Sequence, residues 1–135
     1  MVFKVLLDTS MLMIMIERRV DIFGQIEDLL QGRIEFIVPK AVSMELSKIS
    51  QEKSQRARYA RLAMKLAEKC KPWQSQPGAE ESIDDHLVRV TGEMRGIVAT
   101  GDTGILRKAR NANIPVIYVK RDLRLAVEGI EPAYR

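Results

Sequence analysis

Apolar residues recur along this chain in two rhythms. Short, nearly unbroken runs fall at Phe3-Lys4-Val5-Leu6-Leu7, Ile34-Glu35-Phe36-Ile37-Val38, Ile97-Val98-Ala99-Thr100 and Ile114-Pro115-Val116-Ile117-Tyr118-Val119. Runs of this length, rich in β-branched residues, predict strands covered on both faces. Between them the apolar positions take helical spacing. Met11 to Ile16 is apolar all round, as a short buried helix would be, and Ile22, Ile26, Leu29 and Leu30 follow on a second helix over 21–30 that stops at Gly32. Val42, Leu46 and Ile49 mark a helix over 40–50 entered through Pro39.

The most regular period lies over 55–71, where Tyr59, Leu62, Ala63, Leu66 and Cys70 predict the buried face of a long helix. A loop over 72–81 containing Pro77-Gly78 separates it from the next helix, which Ser82 caps and Gly96 closes, with Ile83, Leu87, Val90 and Met94 on one face. A helix over 103–111 precedes the last strand, and 122–127 reads as a closing helical turn. Strands alternating with helices predict right-handed crossovers between parallel strands. The expected architecture is α/β: a three-layer αβα sandwich around a parallel sheet of four or five strands, in a single domain over 1–135.

Composition narrows the setting. An apolar share of 46% beside 30% charged residues is that of a globular protein, and the run from Met11 to Ile16 is too short to span a bilayer. No basic region, apolar stretch and cleavage site occur in order at the N-terminus, so a cytoplasmic protein is expected, with no membrane partner. The single cysteine, Cys70, has no internal disulfide partner and reads as a buried small hydrophobe. A net charge of +4 suits a polyanionic partner, while three Phe, three Tyr and one Trp make an aromatic stacking platform a poor expectation.

The candidate chemistry lies in acids at the ends of elements. Asp8 follows the first strand and Asp102 follows the third, at the mouth where open α/β sheets bind ligands. Capping of the following helix explains Asp8 taken alone. Glu45 lies on the helix after the second strand, and Asp84 and Asp85 open a later helix, where its dipole accommodates one negative charge readily. Carboxylates brought together need a cation, and all-oxygen donors suit Mg²⁺ or Mn²⁺; without Cys or His pairs, zinc is not expected. Such an ion activates a water and neutralises a phosphate, which points to phosphodiester hydrolysis. Arg58, Arg61, Lys65 and Lys69 form a row that contacts solvent or phosphates. His86, the only histidine, is expected on a helix surface and given no role.

Three stretches resemble the PIN-domain nuclease family: Val5-Leu6-Leu7-Asp8-Thr9-Ser10, Val38-Pro39-Lys40-Ala41-Val42-Ser43-Met44-Glu45-Leu46, and Ile97-Val98-Ala99-Thr100-Gly101-Asp102. Their order and spacing cover nearly the full length. The resemblance implies a Mg²⁺- or Mn²⁺-dependent endoribonuclease acting on single-stranded RNA, in rRNA processing or as a VapC-type toxin. It implies Asp8, Glu45, Asp84 and Asp102 as catalytic, with Asp8, Asp84, Asp85 and Asp102 around the metal. Asp84 fits the family's spacing better than Asp85. Ser10 and Thr100 resemble the hydroxyls that orient metal-bound water. An antitoxin or ribosome-assembly factors are the implied protein partners, and family members often pair as homodimers. Two rivals remain: a non-catalytic RNA-binding scaffold of the same fold, and a receiver-like Mg²⁺-binding regulatory domain, which would want two acids after the first strand where Asp8 stands alone.

Overall fold

A computed structural model describes residues 2–130. In chain order its elements are β1 (Val2–Leu7), α1 (Thr9–Glu17), α2 (Ile22–Leu30), β2 (Arg33–Pro39), α3 (Lys40–Ser50), α4 (Gln55–Ala67), β3 (Lys71–Trp73), α5 (Ile83–Glu93), β4 (Ile97–Thr100), α6 (Thr103–Asn111), β5 (Val116–Val119) and β6 (Leu125–Glu128). The strands form one six-stranded sheet in the order β3-β2-β1-β4-β5-β6, parallel except for the β5–β6 pair. Helices α1, α3 and α4 pack together, and α5 packs on α6. The expected αβα sandwich is therefore the architecture, built on a mixed sheet with more strands than the sequence predicted.

Topology determines where a site can form. From β1 the chain winds outward through β2 and β3, then returns to lay β4 on the other side of β1 and winds through β5 to β6. The strand order reverses between β1 and β4, and their carboxyl ends diverge there into opposite crossovers, leaving a crevice. Asp8 follows β1 and Asp102 lies two residues past β4, so both acids fall at that crevice. The strands beneath are dry: Val5, Leu6, Leu7, Val98 and Ala99 are fully buried.

Four elements differ from the sequence expectation. Helix α4 ends at Ala67 rather than Lys71: the N–H groups of Lys69 and Cys70 close it with tight bonds to Leu66 O and Ala67 O, and 71–73, which Pro72 keeps out of a helix, instead pairs with β2 as an edge strand. The buried face of α4 is Ala57, Ala60 and Ala63, while Leu62 is 48% exposed. The smallest side chains let the helix approach α1 and α3, and that outweighs the apolarity of Leu62. The stretch 122–127 is not a helical turn: Leu123 adopts φ 66°, its N–H donates to Lys120 O, and β6 returns antiparallel to β5. Four apolar residues in a stretch of six carry too little period to separate helix from strand, and the neighbouring strand decides. Helix α2 ends at Gln31 in the left-handed region, φ 52°, one residue before the predicted glycine stop.

His86 also departs from expectation. It is fully buried rather than on the surface of α5, because the segment 74–82 folds over it: its Nε2 lies 3.1 Å from Ser75 Oγ. Cys70 is buried after the end of α4, where desolvation pushes its thiol up to about 11 and leaves it unreactive.

Candidate active site

Asp8 is 2% exposed and performs two tasks with one carboxylate. Its Oδ1 accepts the Met11 N–H at 2.8 Å, capping α1, and the Ser10 hydroxyl at 2.8 Å. Its Oδ2 accepts a short hydrogen bond from the buried Thr100 hydroxyl. Thr100 Oγ1 in turn accepts the Asp102 N–H at 2.9 Å, and Ser10 Oγ accepts the Gly101 N–H at 2.9 Å. The ends of β1 and β4 are thus tied together by hydroxyls that donate to Asp8 and accept from the β4 turn. Burial raises the Asp8 carboxyl from 3.8 to about 6; the bonds from Thr100, Met11 and Ser10 oppose that rise, and the charge of Asp102 adds to it.

Asp102 caps α6, its Oδ1 accepting the N–H groups of Gly104 at 2.7 Å and Ile105 at 3.2 Å. Asp84 reaches the same place from the first turn of α5. A methyl group at Gly104 would stand 3.0 Å from Asp102 Oδ1 and 3.7 Å from Asp84 Oδ2, so the glycine keeps open a small space that both carboxylates border. The Asp84 carboxyl is raised by burial and then by Asp102, with Lys108 opposing and Asp85 and Glu45 adding smaller contributions. Asp85 diverges from its neighbour. It pairs with Lys108 Nζ at 2.9 Å, bridging α5 to α6, and its own carboxyl is lowered.

Asp8, Glu45, Asp84 and Asp102 all line one cleft of about 540 Å³, supplied by four separate segments. Ser10 lies on its wall and Thr100 behind it, and Asp85 is not among the lining residues. The cleft also holds two cations that sequence reasoning passed over, Lys48 and Arg56. Lys48 had a signal, since it is three residues from Glu45 on α3 and so shares its face. Arg56 had none, because only the packing of α4 brings it there. Arg58, Arg61, Lys65 and Lys69 are exposed and none lines the cleft; Arg61 instead donates to Ser50 O at 2.9 Å.

Among the described residues, no three carboxylate, histidine or cysteine side chains converge closely enough to grip one ion directly. The donor set nevertheless fits a hard divalent cation that retains its waters: the donors are oxygens, Asp8 and Asp84 are both raised by burial and by the charge of Asp102, and Gly104 leaves the space between Asp102 and Asp84 open. Mg²⁺ is commonly bound in this manner, through one or two carboxylates and several waters.

Comparison with known proteins bears on the family and the fold. The family model described as a PIN like domain matches residues 5–122. Ribonuclease VapC9 of Archaeoglobus fulgidus is 30% identical over 125 residues, which covers 92% of this chain and 88% of that protein. In fold, the chain is similar to the PIN domain endonuclease Utp24, with a TM-score of 0.75 at 21% identity over 94% of this chain and 92% of that one. It is also similar to a domain of a functionally unknown protein from Methanocaldococcus jannaschii, with a TM-score of 0.66 at 18% identity over 96% of each chain. Matched by the family model from β1 to beyond β5, and by a relative along nearly its whole length, the chain belongs to the PIN like domain family.

Proposed function

We propose that this protein is a divalent-metal-dependent endoribonuclease that hydrolyses phosphodiester bonds of single-stranded RNA. The observation that carries the reading is the meeting of Asp8, Glu45, Asp84 and Asp102, from four segments, on one cleft at the switch point of the sheet. The ribonuclease among its relatives supports RNA as the substrate, and favours an antitoxin over ribosome-assembly factors as protein partner. Pairing into homodimers belongs to the same proposal by family analogy.

Asp8, Asp84 and Asp102 would hold Mg²⁺ or Mn²⁺, with Glu45 at the edge of the site. Bound there, the ion supplies an activated water and charge neutralisation at the phosphate. Ser10 and Thr100 fix the rotamer of Asp8, so its oxygens keep one orientation whatever occupies the cleft. Glu45 has no hydrogen-bond or ion-pair partner among the described residues, and its carboxylate is placed to accept a proton within the cleft. Lys48 and Arg56 offset the repulsion that four acids exert on a phosphate chain. Asp85 stays with Lys108 and steadies α5 against α6, keeping Asp84 in place.

The test is cleavage of a labelled single-stranded RNA with Mn²⁺, with EDTA and Asp8→Asn as controls. Cutting that both controls abolish supports the reading. Cutting that survives both comes from elsewhere and removes it; RNA binding without cutting transfers the case to the scaffold.

A further inference from the structure

Beside the acid cleft lies a second chamber of about 600 Å³, within the range of roughly 300–1,000 Å³ usual for small-ligand sites. Glu45, Lys48 and Ile83 line both, so the two adjoin across these side chains and one strand running over them reaches both. Its walls have an unusual composition for a surface. Of the four large apolar side chains left exposed among the described residues, two are here: Met44 on α3, 62% exposed, and Ile83 at the start of α5, 41% exposed. Pro77 adds a third apolar wall, Gln76 supplies an amide with both donor and acceptor, and Lys40 and Lys48 supply positive charge.

The wall formed by 74–82 is fixed in place. Arg89 donates to both oxygens of Glu81, at 2.8 and 3.0 Å, and Gly78 N–H donates to Glu81 Oε1 at 3.0 Å. The Arg89 Nη2 also lies 3.1 Å from His86 Nδ1. On the other side of the ring, His86 Nε2 and Ser75 Oγ lie 3.1 Å apart, within hydrogen-bond distance. The buried histidine therefore anchors the residue next to Gln76. A chamber held this way is ready before its ligand arrives, which lowers the entropy lost on binding.

We propose that this chamber binds the base of the nucleotide flanking the bond to be cut, a proposal that rests on the nuclease reading above. A nucleotide within a strand presents apolar base faces that suit Met44, Ile83 and Pro77, hydrogen-bonding base edges that suit Gln76, and phosphates on either side of its ribose that suit Lys40 and Lys48. The polarizable thioether of Met44 suits the face of a flat ring. Unstacked bases of single strands are read in this way, by their faces and edges together. Gln76 then selects among bases, and the acids cut beside the one selected.

Two measurements test this, one of them independent of catalysis. In metal-free protein carrying ¹³C-methyl methionine, with Met44→Leu to assign the resonance, the four nucleoside 5′-monophosphates are titrated and ribose 5-phosphate serves as the baseless probe. The Met44 signal is expected to move saturably with at least one nucleotide and to stay with ribose 5-phosphate. A signal unmoved by all four, or moved equally by the baseless probe, overturns the proposal. In the second measurement, a randomised single-stranded RNA is cut with Mn²⁺ by the parent, by Gln76→Ala and by Leu62→Ala as control. Gln76→Ala is expected to flatten a base preference beside the cut by about tenfold, with the control matching the parent; the same preference in all three overturns the proposal. A moving Met44 signal in a parent that does not cut retires the nuclease and supports the chamber as a nucleotide site.

Discussion

At the scale of single residues, Asp8 carries a conflict between stability and chemistry. Its carboxyl ionises about two units above the ordinary value because the folded state desolvates it. Protonation is therefore easier in the folded protein than in the unfolded chain. The resulting stabilisation is fully present below about 3.8 and is lost as the pH rises through about 6, a difference of about 3 kcal/mol. In EDTA, chemical denaturation between pH 4.5 and 7.5 should show this slope, and Asp8→Asn should flatten it and raise stability at pH 7. The same substitution should lower metal-dependent cutting by at least about 100-fold, since even residues that only support a ligand cost 10–100-fold. Thr100→Val removes a hydrogen bond that lowers the Asp8 carboxyl. Cleavage should fall by about 10–100-fold, with the acid limb of its pH profile displaced upward. Gly104→Ala should raise the Mn²⁺ concentration needed for half-maximal cutting by about tenfold, because its methyl enters the space between Asp102 and Asp84. Asp8 was readable in the sequence, as the first polar residue after an apolar run. The burial of His86 was not, since it depends on a loop whose course no local period encodes.

At the scale of elements, what was readable is what has a long period or a strong cap. Helix α3 runs from Lys40 to Ser50 and α6 from Thr103 to Asn111, as their spacing predicts, and Ser82 caps α5 by accepting the Asp85 N–H at 3.1 Å. Strands β3 and β6, of three and four residues, exist only because neighbours pair with them. The face of α4 was misread for a related reason: hydrophobicity ranks leucine above alanine, while close packing of helices ranks them the other way. The outcome is measurable. Ala60→Leu should cost about 1–3 kcal/mol in denaturant unfolding through overpacking, and Leu62→Ala, on the exposed side, should lie within about 0.5 kcal/mol of the parent.

At the scale of the whole molecule, charge is partitioned. The chain carries +4 overall, yet four carboxylates gather at one cleft with only Lys48 and Arg56 to offset them. Affinity for RNA should therefore fall steeply with salt, and Lys48→Ala or Arg56→Ala should each weaken binding and reduce the slope of log affinity against log salt by about one, in filter-binding titrations across salt. Arg58, Arg61 and Lys65 lie on the side of α4 away from Arg56, so a strand in the cleft meets Arg56 and not that row. The margins of the sheet bear on a different matter. One is a three-residue strand whose middle position is Pro72, which offers no N–H; the other turns back on itself and is clamped by Arg110 on Glu128 at 2.7 and 2.8 Å. Among the described residues both borders are short, and the first lacks an amide at its centre, so neither offers a foreign polypeptide a long row of amides to zip onto. Crowded solutions of this protein should therefore resist the growth of fibrils seeded at either border.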